Sequence, residues 1–276
     1  MKILKTVKEL RAYREGLNGD VGLVPTMGAL HDGHLSLVKA SFNDNNATIV
    51  SIFVNPAQFA PHEDFDSYPR QFEEDCKKLE RLNVDAVWAP EITEMYPEGF
   101  NSHVRVSGIS EILEGTFRPH FFEGVTTIVN KLLCQVQPTN AYFGEKDYQQ
   151  LQVIKKMVTD LNMPVNIVGC PIVRDDQGLA LSSRNAYLDE AKIQVARTLN
   201  QTIKEASSLI KSMGVQQVEL VLKDKIIAAG FTKVDYVTLR DAKTLREISS
   251  LQDCDNVRVL VAAYLGPVRL IDNMAL

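Results

Sequence analysis

Short apolar runs rich in β-branched residues alternate with longer amphipathic stretches through the first 175 residues, and this alternation limits the fold more than any other feature. The runs at 21–25, 47–54, 84–88, 141–143 and 165–173 read as buried strands. Between them lie helical patterns: one through Leu35, Val38 and Ala40, then 70–82, 125–136 and 147–161. Before the first run, Thr6 and Glu9 have the spacing of a capping box, which predicts a helix running toward Gly16. Parallel strands need long crossovers, and helices of about ten to fifteen residues supply them. The pattern therefore predicts an α/β fold with a doubly wound, Rossmann-like parallel sheet. Residues 91–119 break the alternation and receive no assignment.

The order of elements then changes. Helices are predicted over 189–213 and 215–229, with Gly214 and Gly230 as stops. Strands follow at 234–239, 257–264 and 268–271, the last two joined by the turn Leu265-Gly266-Pro267. Helices first and strands afterwards predict a second, smaller α+β C-terminal domain. The cluster Asp175-Asp176-Gln177-Gly178 marks the boundary, giving domains 1–175 and 176–276.

Composition narrows the function classes. A net charge of −5 argues against nucleic acid, which demands a strongly basic face. Cys76, Cys134, Cys170 and Cys254 are widely spaced, so neither a zinc site nor a disulfide framework is indicated, and reduced thiols of a cytoplasmic protein are expected. The start Met-Lys-Ile-Leu-Lys lacks the apolar core of a signal peptide. No apolar run approaches the roughly 20 residues of a membrane span.

The densest chemical signal is Pro25-Thr26-Met27-Gly28-Ala29-Leu30-His31-Asp32-Gly33-His34. It falls between the first strand of the alternation and the next helix, where open α/β sheets bind ligands. Gly28 and Gly33 permit close backbone approach, and a helix N-terminus favours an anion. Two of the chain's five histidines close this loop, as imidazolium groups or as N–H donors to a phosphate. His31 and His34 also have the spacing of a metal pair, but no third ligand is evident.

Other strand ends carry polar groups as well. Asn55 and Gln58 flank Pro56 after the second run, with amides suited to a small hydroxy acid. In Gly144-Glu145-Lys146-Asp147, Lys146 can offset phosphate charge, and Asp147 suits a ribose hydroxyl or a helix cap. Leu181-Ser182-Ser183-Arg184 offers hydroxyls and a guanidinium fork that matches phosphate. Glu74 and Asp75 have the charge to reach a cation, though such residues usually line a solvated helix face.

These strings resemble a known family. His-x-Gly-His after the first strand is the signature of the nucleotidyltransferase superfamily, and the longer string 25–34 is similar to that of the pantothenate synthetases. Further similar strings follow in order: Phe53-Val54-Asn55-Pro56-Ala57-Gln58-Phe59, Asp64-Phe65-Asp66-Ser67-Tyr68-Pro69-Arg70, Phe143 to Gln150, Leu181 to Asn185, and Arg269-Leu270-Ile271-Asp272-Asn273. The resemblance spans essentially the whole chain.

It implies an enzyme that condenses pantoate with β-alanine at the expense of ATP, through a pantoyl-adenylate, releasing AMP and pyrophosphate. ATP as substrate, Mg²⁺, a homodimer, a cytoplasmic location and a C-terminal domain acting as a lid come with it. By this resemblance ATP is bound by Met27, Gly28, Ala29, Leu30, His31, Asp32, Gly33 and His34. Gly144, Glu145, Lys146, Asp147, Val173, Leu181, Ser182, Ser183 and Arg184 complete that set. His31, His34, Lys146 and Arg184 are the catalytic group. Gln58 contacts pantoate and β-alanine, Gln150 contacts pantoate, and Asn55 and Arg118 lie with the substrate. One string departs: the family's Arg-Pro-x-His-Phe-x-Gly-Val is here Arg118-Pro119-His120-Phe121-Phe122-Glu123-Gly124-Val125, with Phe121 where the histidine is expected and His120 one residue early.

Overall fold

The computed structural model describes residues 1–60, 63 and 65–276, so Asp64 of the strings above lies outside the described residues. The chain divides into two compact units: Met1–Glu145 with Val153–Pro171, and Lys146–Gln152 with Ile172–Leu276. This division differs from a cut at 175 chiefly in giving residues 146–152 to the second unit. The Asp175–Gly178 cluster forms a tight turn inside that unit. Asp175 Oδ1 accepts from the N–H groups of Gln177 and Leu179 at 3.0 and 2.9 Å. Residues of this kind signal a turn within a domain as readily as a linker between domains.

The first unit holds strands β1 (Lys2–Leu4), β2 (Val21–Thr26), β3 (Ala47–Ile52), β4 (Ala86–Trp88), β5 (Asn140–Gly144) and β6 (Asn166–Cys170). All pair in parallel, in the order β1-β4-β3-β2-β5-β6. The helices are α1 (Val7–Glu15), α2 (Asp32–Asp44), α3 (Phe72–Arg81), the short α4 (Ile92–Met95) and α5 (Glu114–Phe117), and α6 (Phe121–Val136); after β5 comes α7 (Tyr148–Asp160), whose residues from Val153 on belong to this unit. The capping box of α1 is formed as expected: Glu9 N–H donates to Thr6 Oγ1 and Thr6 N–H to Glu9 Oε2, at 3.2 and 3.0 Å. The strand before it, β1, goes beyond the sequence expectation, because three residues that begin with a lysine, with only Leu4 buried, carry no periodic signal.

Strand order runs outward from β2 through β3 to β4, then crosses back to β5. The carboxyl ends of β2 and β5 therefore flank the point where the winding reverses, the usual ligand crevice of such sheets. Val24, Leu37, Val38, Val50, Leu79, Val87 and Tyr142 form one buried cluster in this unit. Residues 91–119 contain α4, α5 and an extended stretch without a strand partner. There Val104 N–H donates to Thr127 Oγ1 on α6 at 3.0 Å, so side chains replace the regular ladder that periodicity detects.

In the second unit, β7 (Lys233–Asp241), β8 (Val257–Leu265) and β9 (Val268–Ala275) form an antiparallel sheet in that order. Helices α8 (Glu190–Lys204), α9 (Ala206–Leu209) and α10 (Val215–Ala228) accompany it. The single helix expected over 189–213 is divided at Glu205, which ends α8 and starts α9. Leu199, Ile203, Val218, Leu222, Leu239, Val259 and Val261 are buried together. Among the described residues no helix is long and apolar enough to cross a membrane.

Candidate active site

The turn from β2 into α2 uses unusual backbone. Gly28 and Ala29 both have positive φ, 80° and 49°. A left-handed alanine is unfavourable by roughly 1–2 kcal/mol, so something outside the turn must hold it. Thr26 Oγ1 accepts from Gly28 N–H at 3.2 Å and donates to the Ser51 carbonyl at 2.8 Å. The Asp75 carboxylate, on α3, takes the next two amides: Ala29 N–H on Oδ2 and Leu30 N–H on Oδ1, both at 2.8 Å. Lys78 Nζ donates to the Leu30 carbonyl at 2.7 Å. Leu30 itself is buried in the apolar cluster of this unit, while Met27 and Ala29 are half-buried and Asp32 is exposed.

His31 is the N-cap of α2 and His34 its third residue, and the two imidazoles build a reciprocal capping box. Gly33 N–H donates to His31 Nδ1 at 3.1 Å, and His31 N–H to His34 Nδ1 at 3.4 Å. The ring centroids are 4.1 Å apart. A ring nitrogen that accepts from an amide carries no proton, so this pattern assigns the neutral Nε2–H tautomer to both rings. In this capping geometry each ring keeps Nε2–H as its outward donor, the N–H role that the sequence offers beside the imidazolium one. Among the described residues no three His, Cys, Asp or Glu side chains cluster to hold a metal ion.

After β3, a single 3₁₀ turn at Pro56–Gln58 presents Gln58. Asn55, only 1% exposed, spends its amide on building that turn. Its Nδ2 donates to Gln58 Oε1 at 3.0 Å and to the Gly124 carbonyl at 3.1 Å, and its Oδ1 accepts from Tyr96 Oη at 2.7 Å. Burial pushes the Tyr96 phenol up to about 12, only partly offset by Asn55. Arg118 grips Glu63 with Nε and Nη2 at 2.7 and 2.8 Å, and Nη2 donates to the Gln58 carbonyl at 3.1 Å. Its guanidinium lies 3.8 Å from the centroid of Phe121. The departing residue is thus the platform on which Arg118 rests. His120 instead lines a cavity of about 280 Å³ with Tyr96, Phe100, His103 and Glu123.

In the second unit, the C-terminal string acquires a use that its residue types did not announce. Asn273 Nδ2 donates to the Lys146 carbonyl at 2.9 Å, and its Oδ1 accepts from Arg258 Nε at 2.6 Å. Arg258 in turn stacks 3.7 Å from the Tyr148 ring centroid. The start of α7, with Lys146, Asp147 and Gln150, is thereby tied to β8 and β9. Lys146 Nζ lies 3.8 Å from Asp147 Oδ2. Gln149 is buried at 3% exposure while Gln150 is half-buried, as expected for neighbours on different sides of a helix. Asp272 holds Arg174 through two bonds of 2.7 Å. Leu181 N–H donates to the Val173 carbonyl at 3.0 Å, which closes the loop that leads to Ser182. Ser182 caps the 3₁₀ turn Ser183–Tyr187, accepting from Arg184 N–H at 3.3 Å. Val173, Leu181, Ser182, Ser183 and Arg184 are all partly exposed.

Sequence reasoning missed Tyr96, Lys78, Asp272 and Asn273 as supports, and gave Asp75 the wrong surroundings. The acids in the first turn of α3 hinted at Asp75, and the string Arg269 to Asn273 contained Asp272 and Asn273 without showing their use.

The profile of the pantoate-beta-alanine ligase family matches residues 2–275. The chain is 47% identical to the pantothenate synthetase of Acetivibrio thermocellus, over 99% of each chain. It is 49% identical to that of Rhodopseudomonas palustris, over 99% of this chain and 97% of the other. The crystal structure of pantothenate synthetase from Thermus thermophilus superposes with a TM-score of 0.93 at 42% identity, covering 99% of each chain. That of pantoate-beta-alanine ligase from Francisella tularensis, complexed with beta-gamma ATP and beta-alanine, gives 0.84 at 36% identity, covering 99% of this chain and 97% of the other.

Proposed function

This chain belongs to the pantoate-beta-alanine ligase family, and from that premise we propose that it condenses pantoate with β-alanine in two steps through a pantoyl-adenylate. In the first, a pantoate carboxylate oxygen attacks the α-phosphorus of ATP and pyrophosphate leaves. In the second, the β-alanine amine attacks the activated carbonyl, loses a proton, and AMP leaves with the former carboxylate oxygen. A free carboxylate is a poor acylating agent because oxide is a bad leaving group, and adenylation replaces it with a good one.

The observation that carries this reading is the two-histidine cap of α2 at the carboxyl end of β2, beside the winding reversal. Adenylation needs positioned donors and in-line geometry more than covalent help. The Nε2–H groups of His31 and His34 serve as neutral donors to phosphate oxygens. Lys146 and Arg184 supply positive charge, with Ser182 and Ser183 as hydroxyl donors. Gly144, Glu145, Asp147 and Val173 bind the nucleoside part. Gln58 and Gln150 hold pantoate, and Gln58 also meets β-alanine. Asn55 and Arg118 act by fixing Gln58. Magnesium enters as part of the Mg·ATP substrate, retaining several waters.

The test separates the half-reactions. Given Mg·ATP and pantoate without β-alanine, the enzyme should release a single turnover of pyrophosphate and then nearly stop, because an acyl-adenylate survives only where water is excluded. Adding β-alanine should restart turnover, with AMP and pantothenate in equal amounts. Release of ADP and inorganic phosphate would defeat the adenylate route. Continued turnover without β-alanine would point to an AMP-transferring enzyme instead.

A further inference from the structure

An acid on the first turn of a surface helix ordinarily faces solvent, and α3 begins with Glu73, Glu74 and Asp75. Glu73 and Glu74 do face solvent, whereas Asp75 has no exposed surface at all. Both of its oxygens are occupied by amides of the β2–α2 turn, one from Ala29 and one from Leu30. Three residues along the same helix face, Lys78 takes the Leu30 carbonyl. Two side chains of α3 therefore hold the donors and the acceptor of consecutive peptides. These are the peptides that immediately precede His31. Ala29 keeps a left-handed φ of 49° there, and a methyl group on Gly28 would lie 3.2 Å from Asp75 Oδ2.

We propose that Asp75, assisted by Lys78, is a positioning residue of the reaction: it acts through the turn that aims His31 and His34, and it is not a ligand of magnesium. This rests on the reading of the histidine pair as phosphate donors. The physical case is that Asp75, with no exposed surface and an amide donor on each oxygen, presents neither oxygen to solvent for a cation. A left-handed alanine, meanwhile, needs an external clamp to persist. Burial pushes the Asp75 carboxyl up, and the Leu30 and Ala29 amides and Lys78 offset this only in part. The clamp is thus maintained against a desolvation cost, as expected of a group kept for geometry.

Asp75→Asn tests it. The amide keeps one acceptor but turns an N–H toward the second backbone donor. Pantoate-dependent ATP–pyrophosphate exchange should fall about 10²-fold, the usual consequence of displacing a reacting group by about 1 Å. Pantoate affinity by calorimetry should stay at the wild-type value. Hydrogen exchange at the Ala29 and Leu30 amides should accelerate more than about tenfold, the loss of one charge-assisted bond, while β2 and β3 stay protected. Raising Mg²⁺ should not restore the rate. Lys78→Met, a milder change, should cost about tenfold in the same assay and serves if Asp75→Asn does not fold. Wild-type exchange activity in folded Asp75→Asn, or recovery at high Mg²⁺, would overturn the inference. His34→Ala run in parallel separates the two claims. If it abolishes activity while Asp75→Asn does not, only the positioning role falls. If His34→Ala is itself harmless, the phosphate reading falls, and amide exchange still decides whether Asp75 clamps the turn.

Discussion

Replacing Gly124 with alanine places one methyl group against the backbone that carries Gln58. The new Cβ would lie 2.1 Å from the Ala57 carbonyl oxygen, 2.6 Å from its carbon and 3.0 Å from Gln58 N. All three are backbone atoms, so no rotamer relieves the contact. Ordinary van der Waals contact begins at 3.4 Å, so the Pro56–Gln58 turn must retreat by about 1.3 Å. Helix α6 cannot yield instead, because Val125, Ile128, Val129 and Leu132 anchor it in the core. Overpacking of this kind costs about 1–3 kcal/mol of stability. At this chain length that lowers Tm by several degrees without unfolding the protein at 25 °C. The larger effect is on the site, where a shift near 1 Å is worth about 10²-fold in rate. The assay is kcat/KM for pantoate at saturating Mg·ATP, with ATP affinity measured separately by calorimetry. A folded Gly124→Ala enzyme with wild-type pantoate kinetics would refute the reasoning. So would an equal loss of ATP affinity, because the displaced turn is assigned to the pantoate side of the site and not to the nucleotide.

Three further outcomes are expected. Gln58→Ala should weaken pantoate while leaving ATP binding intact; calorimetry showing the reverse would remove Gln58 from the substrate set. Asn273→Ala deletes the donor to the Lys146 carbonyl and strands buried Arg258 Nε, so it should cost about 1–3 kcal/mol in urea unfolding and raise the KM for ATP; an unchanged KM would confine Asn273 to a structural part. Burial pushes the Tyr96 and Tyr142 phenols up to about 12. Their contribution to stability is whole below the unfolded value of about 10 and is lost as pH rises toward the folded one. An ultraviolet titration should therefore show at least two of the eight tyrosines ionising late, together with alkaline unfolding, and reversible ionisation of all eight near pH 10 would contradict it.

Much of the fold was legible because the inner parallel strands β2, β3 and β4 are buried on both faces and so read as unbroken apolar runs. The runs at 21–25 and 47–54 correspond to β2 and β3, and the turn between β2 and α2 falls where the histidines stand. The elements that periodicity does not reveal lack it for stated reasons. β1 is three residues long, and the stretch around Val104 bonds to side chains of α6. The apolar pattern starts α6 four residues late, at 125 instead of Phe121, since Glu123 and Gly124 interrupt it.

By itself the sequence determined the α/β order, the smaller C-terminal domain type and the strings of residues proposed for the chemistry, because these follow from local periodicity and from residue types at strand ends. It also exposed the substitution at Phe121. Only the tertiary structure decided how those residues are held. Asp75 looked like a solvated acid and is a buried clamp. Asn55, whose amide the sequence offers as suited to a small hydroxy acid, donates to Gln58 and to the Gly124 carbonyl. Phe121 looked like a lost histidine and carries Arg118, and Asn273, 127 residues from Lys146, holds that residue's carbonyl. The two histidines were evident as a pair, yet their tautomer was not, since it depends on which backbone amides the helix start brings within reach of Nδ1. The common reason is range: periodicity and turn chemistry act over a few neighbouring residues, whereas a hydrogen-bond partner is chosen by whichever group the packed chain brings within about 3 Å.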